Sequence, residues 1–343
     1  MPILSQGTCA VYEEPLGPEG VRIRTRPRTD PGGGQVSVAI KACSLNHLDI
    51  WVSRGAQRGR PPRVICADGA GEVELSETPL WKSGDRVVLY PVAACWGCDQ
   101  CRAGQQVFCR GFGILGEHTD GTACELIHVP MENVFPVPDG ISFEEAAAIP
   151  LTFLTAWRML VTRARLLRGE TLLVVGAGAG VGLAAVAIGR HLGARVLVTS
   201  RSPEKRSRAL ILGVNAALDS GRFSAQVKDA TDGRGADVVF EHVGEATIDE
   251  SLKSLGTGGR LVVCGATSGR TGCIDLPRLF FRQQTVYGST MGNGTEFADV
   301  LEAVGEGMRP QVDRVFELGD IQAALRYLES GSQFGKVVLR VAE

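Results

Sequence analysis

The stretch from Thr171 to Leu192, TLLVVGAGAGVGLAAVAIGRHL, restricts the fold more than any other part of this chain. A short apolar run without alternation marks a strand buried on both faces. A glycine-rich turn then opens a helix that Gly193 stops. The pattern repeats downstream: RVLVT is followed by the helical PEKRSRALIL and Gly213, and ADVVF, GRLVVCG and QQTVYG supply further strands. Buried strands alternating with helices require a parallel sheet covered on both faces. This half of the chain is therefore α/β, with a doubly wound parallel sheet.

The turn Gly176-Ala177-Gly178-Ala179-Gly180-Val181-Gly182 lies between strand and helix. A backbone of this kind approaches a pyrophosphate closely and presents it to the positive end of the helix. The GxGxxG register is imperfect, because Ala177 and Ala179 hold its first two glycine positions when counted back from Gly182. The βαβ context nevertheless points to a dinucleotide, held by Gly178, Ala179, Gly180, Val181 and Gly182, over an unliganded turn. An NAD site usually carries Asp or Glu at the end of the second strand, to accept from the ribose 2′-hydroxyl. Here that strand runs out into Ser200 and Arg201, with Lys205 and Arg206 behind. A hydroxyl and cations suit a 2′-phosphate, so the expected cofactor is NADPH. The plainer reading of the same residues is a solvated basic helix start.

Residues ahead of about position 150 follow a different pattern, with short strands broken by glycine and proline. QVSVAIKACSL and DRVVLYPV are strand candidates separated by turn clusters such as DPGGG and KSGD. VRIRTRPR, Val21–Arg28, alternates in a way that suits a strand with one solvated arginine face. Ser142 and Glu145 have capping-box spacing at the start of a helix that breaks at Pro150, and a second helix follows.

Four of the ten cysteines, Cys95, Cys98, Cys101 and Cys109, fall in one excursion. Such clustering suits a metal better than a disulfide framework, which belongs to short secreted chains. Four soft thiolates match closed tetrahedral Zn2+, leaving no position for substrate, so the ion is expected to be structural, one per chain. Iron–sulfur is the minor alternative. The N-terminal MPILSQGTCAVYEE has neither a basic nor an apolar leader region, and no apolar run is long enough to span a bilayer. A net charge of -2 gives no field to attract nucleic acid. The expectation is a cytoplasmic protein with neither membrane nor nucleic-acid partner.

The cysteine lobe and the LTFLTAW–GAGAGVG pairing, in this order, resemble the medium-chain dehydrogenase/reductase superfamily. SLNHLDIW, CADGAGEV, GSTMGNG and FGKVVL extend the resemblance over essentially the whole chain. It implies a GroES-like β-rich catalytic domain at residues 1–152 and 289–343, with the zinc lobe about 91–112 and the last strand KVVLRV returning to it. A Rossmann NADPH-binding domain occupies 153–288, and the active site lies in the cleft between the two. It further implies Thr155 beside the nicotinamide. His242, Gly265, Met291 and Lys336 fall in cofactor-facing stretches, and pairing through a Rossmann edge strand implies a homodimer or homotetramer. In the zinc alcohol dehydrogenases a Cys, a His and a second Cys or Asp hold a catalytic zinc; the matching positions here are Asn46, Ala67 and Leu151. The proton-relay positions match Leu48 and Trp51. A displaced metal centre from Cys43, His47, Cys66 and Asp68 is the alternative. The LN-x-x-D pattern of Leu45, Asn46 and Asp49 is similar to the quinone oxidoreductase and enoyl reductase branch.

Without a Lewis acid the acceptor must itself delocalise the incoming charge. The expected activity is hydride transfer from NADPH to a small electrophile, a quinone or α,β-unsaturated carbonyl or enoyl compound. Asn46 is a candidate hydrogen-bond donor to the oxyanion, or else a turn-stabilising amide. His47 is a candidate contact to phosphate or substrate, and Asp49 orients His47 or holds local backbone. Trp51 is expected to wall the pocket. The competing readings are a zinc-dependent alcohol or aldehyde dehydrogenase, a non-catalytic crystallin-like NADPH-binding protein, and a zinc-knuckle nucleic-acid binder.

Overall fold

The structure, a computed structural model, describes residues 6–55 and 60–342. Residues 1–5, which begin the segment read as carrying no leader, lie outside that description. The chain divides into two compact units, residues 1–151 with 292–343, and residues 152–291.

The first unit opens with strands β1 (Gln6–Tyr12), β2 (Val21–Pro27) and β3 (Gln35–Leu45), followed by helix α1 (His47–Ser53). Strands β4 (Arg63–Val64), β5 (Asp68–Ser76), β6 (Arg86–Leu89) and β7 (Val92–Ala93) follow, then a one-turn helix α2 (Asp99–Arg102). Strands β8 (Gly113–Ile114), β9 (Leu126–Pro130) and β10 (Val134–Pro136) precede α3 (Phe143–Ala147). Ser142 caps α3, its Oγ accepting from the Glu145 amide at 3.1 Å while the Glu145 carboxylate accepts from the Ser142 amide at 3.0 Å. Two of the three arginines of β2 pair with carboxylates, Arg24 with Glu13 and Arg26 with Asp120, while Arg22 donates to backbone carbonyls, and none of the three is buried.

The second helix, α4 (Pro150–Trp157), starts at the proline, whose fixed φ and missing N–H suit a first helical position. The second unit then alternates strand and helix: β11 (Thr171–Val174), α5 (Gly180–His191), β12 (Arg195–Ser200), α6 (Pro203–Ile211), β13 (Ala216–Asp219), α7 (Phe223–Ala230). It continues with β14 (Ala236–Glu241), α8 (Ile248–Ser254), β15 (Leu255–Val263), α9 (Leu276–Phe281) and β16 (Thr285–Gly288). Among the described residues these strands form one parallel sheet in the order β13-β12-β11-β14-β15-β16. β11 is buried at every residue, as its unalternating sequence requires.

The chain returns to the first unit through α10 (Gly294–Gly305), β17 (Val312–Glu317), α11 (Ile321–Glu329) and β18 (Lys336–Arg340). Tyr90 Oη donates to Gly292 O at 2.7 Å, and its ring packs with Phe135 and Phe297, which fastens this return. β18 enters the main sheet, giving the order β10-β6-β5-β3-β18-β17. β3 is antiparallel to both neighbours. The C-terminal end of β3 therefore lies beside the first residues of β5 and β18: Ser44 faces Asp68, and Leu45 faces Val337. This register gathers residues that are remote in sequence at one end of the sheet. No helix among the described residues is long and apolar enough to cross a membrane.

Candidate functional site

At that end of the sheet Asp68 is the hub of a buried polar network. Its Oδ2 accepts from Ser44 Oγ (3.1 Å), Asn46 Nδ2 (2.9 Å) and Lys336 Nζ (2.9 Å), and its Oδ1 accepts from the Leu151 amide (2.8 Å). Lys336 Nζ donates to Asn46 Oδ1 as well, at 2.6 Å, so the amide bridges the ion pair. Asp68 is fully buried, Lys336 is 4% exposed and Asn46 7% exposed. A carboxylate and an ammonium removed from water persist only when paired and hydrogen-bonded, and here both conditions hold.

Asn46 is also the residue before α1, and Asp49 secures it there. Asp49 Oδ2 accepts from the Asn46 amide at 2.7 Å, and Oδ1 accepts from the Cys66 amide at 2.9 Å. Those two amides belong to the chain segments that carry Asn46 and Asp68. Burial pushes the Asp49 carboxyl up to about 7, with the nearby Asp68 charge adding to the effect and Lys336 opposing it.

The positions of Asn46, Ala67 and Leu151 are held as follows. The Asn46 amide is committed to its two charged neighbours, Ala67 has no donor atom, and Leu151 contributes only a backbone N–H to Asp68. Of the displaced set Cys43, His47, Cys66 and Asp68, both cysteines are fully buried, and burial, with the neighbouring Cys43 thiol, raises the Cys66 thiol. His47 begins α1 and is half-buried, as is Trp51. Lys336, expected among the cofactor-facing residues, has its ammonium against Asp68 and Asn46. A buried ammonium needs a counter-charge, and the start of β5 supplies one.

In the second unit the glycine turn is stitched to β12: the Gly176 amide donates to Thr199 Oγ1 (3.1 Å) and the Ala177 amide to Thr199 O (2.7 Å). The left-handed positions are Gly176 (φ 85°) and Gly178 (φ 113°), whereas Ala179 has an ordinary φ of -73°. Alanine at the expected glycine positions is therefore tolerated, because the unusual dihedrals fall one residue earlier. Ala179 caps α5 without a side-chain hydrogen bond, so the first amides of this helix remain available to an anion.

His242 and Lys205 lie against this turn. His242 Nε2 donates to Gly176 O at 3.3 Å, and burial holds its imidazole below the usual range. Gly265 packs against the His242 carbonyl so closely that a Cβ would lie 2.4 Å from it. The Lys205 side chain crosses the turn, its Cδ 2.8 Å from where a Gly178 Cβ would stand. Ser200 Oγ accepts from the Ser202 amide at 3.3 Å, and Arg201 is exposed. Arg206, by contrast, is turned away into Ser200 O and Asp219. Thr155 Oγ1 donates to Met291 Sδ at 3.8 Å, bringing those two candidates together.

One supporting group was not anticipated. Glu241, fully buried at the end of β14, accepts from the Val243 and Gly244 amides and from Thr247 and Ser251, which fixes the His242–Gly244 segment. A charged residue closing the apolar run ADVVF is the signal that marks it. Ser200, Lys205, the open helix start and the glycine turn fit a phosphorylated dinucleotide on chemical grounds.

The four cysteines converge. Their Sγ atoms all lie within 4.8 Å of one another, with Cys95–Cys109 at 3.4 Å, Cys98–Cys101 at 3.6 Å, and Cys95–Cys101 and Cys98–Cys109 at 3.9 Å. Sulfurs of a regular tetrahedron around zinc stand about 3.8 Å apart, given Zn–S bonds of ~2.3 Å. Amides of Cys95 and Gly111 donate to Cys109 Sγ, and amides of Gly97 and Cys98 help hold the Cys95 thiol down at about 6. The set fits a zinc ion. Among the described residues it is the one grouping with ligand spacing. The Val107 amide donates to Asn293 Oδ1 at 3.2 Å, which ties the lobe to the start of α10.

The sequence matches the zinc-binding dehydrogenase family over residues 180–306 and the alcohol dehydrogenase GroES-like domain over residues 32–139. It is 30% identical over 328 residues to an acryloyl-coenzyme A reductase of Metallosphaera sedula, covering 94% of this chain and 96% of that protein. It is also 30% identical over 343 residues to an alcohol dehydrogenase of Geobacillus stearothermophilus, covering 97% and 99%. Among solved structures, one described as an NAD-dependent alcohol dehydrogenase superposes with a TM-score of 0.94 at 38% identity, covering 98% of this chain and 100% of that one.

Proposed function

Because this chain belongs to the medium-chain dehydrogenase/reductase superfamily and is an oxidoreductase, we propose that it reduces an α,β-unsaturated carbonyl compound with NADPH, and does so without a catalytic metal. The carrying observation is the interlocked Asn46–Asp68–Lys336 network at the end of the sheet. Donor atoms able to hold an ion are replaced there by a self-satisfied ion pair. A carbonyl that gains no help from a Lewis acid must spread the incoming charge through conjugation. The acryloyl-coenzyme A reductase relative supports an enoyl acceptor, and a quinone has the same electronic property.

When bound, NADPH supplies the hydride. Ser200, Arg201 and Lys205 would hold its 2′-phosphate by charge-assisted hydrogen bonds, and the amides that open α5 would hold its pyrophosphate. His242, fastened to Gly176 O, braces the turn. Lys336 and Asp68 keep Asn46 in one orientation, and Asp49 keeps its backbone in place. The four cysteines would hold a structural zinc that stiffens the lobe between β7 and β8.

The relatives named alcohol dehydrogenase, one of them described as NAD-dependent, define the competing reading. A panel of NADPH and NADH against enoyl thioesters, enones, quinones, aldehydes and primary alcohols tests it. The proposal expects turnover of enones or enoyl thioesters with a preference for NADPH. Efficient NAD-dependent alcohol oxidation with no enone turnover overturns it.

A further inference from the structure

Cys9 and Cys124 face each other across an isolated antiparallel bridge in the first unit. The flanking hydrogen bonds, Ala10 N to Ala123 O at 2.8 Å and Glu125 N to Thr8 O at 2.9 Å, make this a non-hydrogen-bonded pair. In such pairs the Cα atoms approach to about 4.5 Å and the side chains lie on one face, which is within the range a disulfide spans. Both cysteines line one cavity of about 520 Å³, whose wall also includes Arg26, Trp96 and His128. Each is parked on a backbone carbonyl, Cys9 Sγ on Arg24 O at 3.6 Å and Cys124 Sγ on Leu126 O at 3.2 Å.

We propose that Cys9 and Cys124 form a reversible redox site, closing to an intrachain disulfide when a peroxide enters this cavity. The Cys9 thiolate attacks one peroxide oxygen and breaks the O–O bond, giving a sulfenic acid and one water. The Cys124 sulfur then displaces the sulfenic hydroxyl as a second water, so the two thiols lose two electrons and two protons to one molecule of peroxide. Burial raises both thiols, Cys124 the further, so Cys9 is the more readily deprotonated of the two. The bond would join β1 to the segment carrying Thr122. That residue's hydroxyl donates to Asp68 O at 2.6 Å, and its amide to Cys66 O at 2.9 Å. The crosslink thus reaches the backbone that bears the buried network.

The test uses the intact zinc-loaded protein treated with hydrogen peroxide, with zinc release followed by a chromogenic chelator. It is quenched by alkylation and mapped by non-reducing peptide mass spectrometry. The expected result is a Cys9–Cys124 linked peptide, lighter by two hydrogens, that forms before zinc is released. Dithiothreitol should remove it, and it should be missing from both Cys9→Ser and Cys124→Ser. A linkage confined to the zinc cysteines, a different partner for Cys9, or both thiols still alkylatable after denaturation at the dose that releases zinc would each overturn the proposal.

Discussion

Lys336 Nζ lies 2.9 Å from Asp68 Oδ2, in side chains 4% and 0% exposed, and the residues are brought together by strands that flank β3. A buried ion pair seldom gains net stability over an apolar pair of the same shape, but losing one partner is costly because it strands the other charge. Lys336→Met is expected to destabilise the protein by about 3–5 kcal/mol in urea denaturation. The double variant Asp68→Asn/Lys336→Met should lose less than the sum of the single variants, with a coupling of roughly 0.5–3 kcal/mol. Strict additivity would show that the pair does not act as a unit.

Asp49 sets a pH dependence. Its folded-state value, about 7, lies above that of an exposed carboxyl, so the folded protein holds this proton more tightly than the unfolded chain does. Its contribution to stability is therefore full below about pH 4 and is lost as the pH rises towards 7. Urea midpoints across this window should fall less steeply in Asp49→Asn than in the parent. That variant also leaves one of the Cys66 and Asn46 amides without an acceptor, at a cost of about 1–3 kcal/mol. Unchanged curvature in the variant would assign the dependence elsewhere.

The proposed preference for NADPH is expected to depend on Ser200. A carboxylate there repels a 2′-phosphate and accepts from a 2′-hydroxyl. Ser200→Asp is expected to lower kcat/KM for NADPH by about 10- to 100-fold, the range of one charge-assisted hydrogen bond, and to raise it for NADH. Steady-state kinetics with both nucleotides decides this. An unaltered ratio would place the discrimination at Lys205 or Arg201.

The zinc lobe is predicted to act structurally. Cys109→Ser removes a sulfur that also accepts the Cys95 and Gly111 amides. The variant should lose zinc and melt lower, and amide exchange should accelerate through residues 95–111 and into the start of α10, to which Asn293 ties the lobe. Exchange changes confined to the network around Asp68, with the lobe unaffected, would contradict a structural role.

Much of the architecture was legible because local patterns were strong. β11, β12 and β14 read as unalternating apolar runs, Ser142 and Glu145 announced their helix, and four cysteines at short spacing announced their cluster. The partnership of Lys336 with Asp68 was not legible. It arises because β5 and β18 each pair antiparallel with β3, which brings together residues 268 apart in sequence and which no local pattern encodes. A lone lysine opening the apolar strand KVVLR was the available hint, since a buried ammonium demands a carboxylate. The glycine register failed for a related reason. The count was taken from Gly182, whereas the positive dihedrals sit at Gly176 and Gly178.

Metal stoichiometry of the purified protein, read by plasma mass spectrometry, bears most directly on whether reduction proceeds without a bound catalytic ion. One zinc per chain, all of it lost in Cys109→Ser while the parent still reduces enones, is the predicted result. Two zinc ions per chain, with one retained in Cys109→Ser and NAD-dependent alcohol oxidation that chelators abolish, would contradict it.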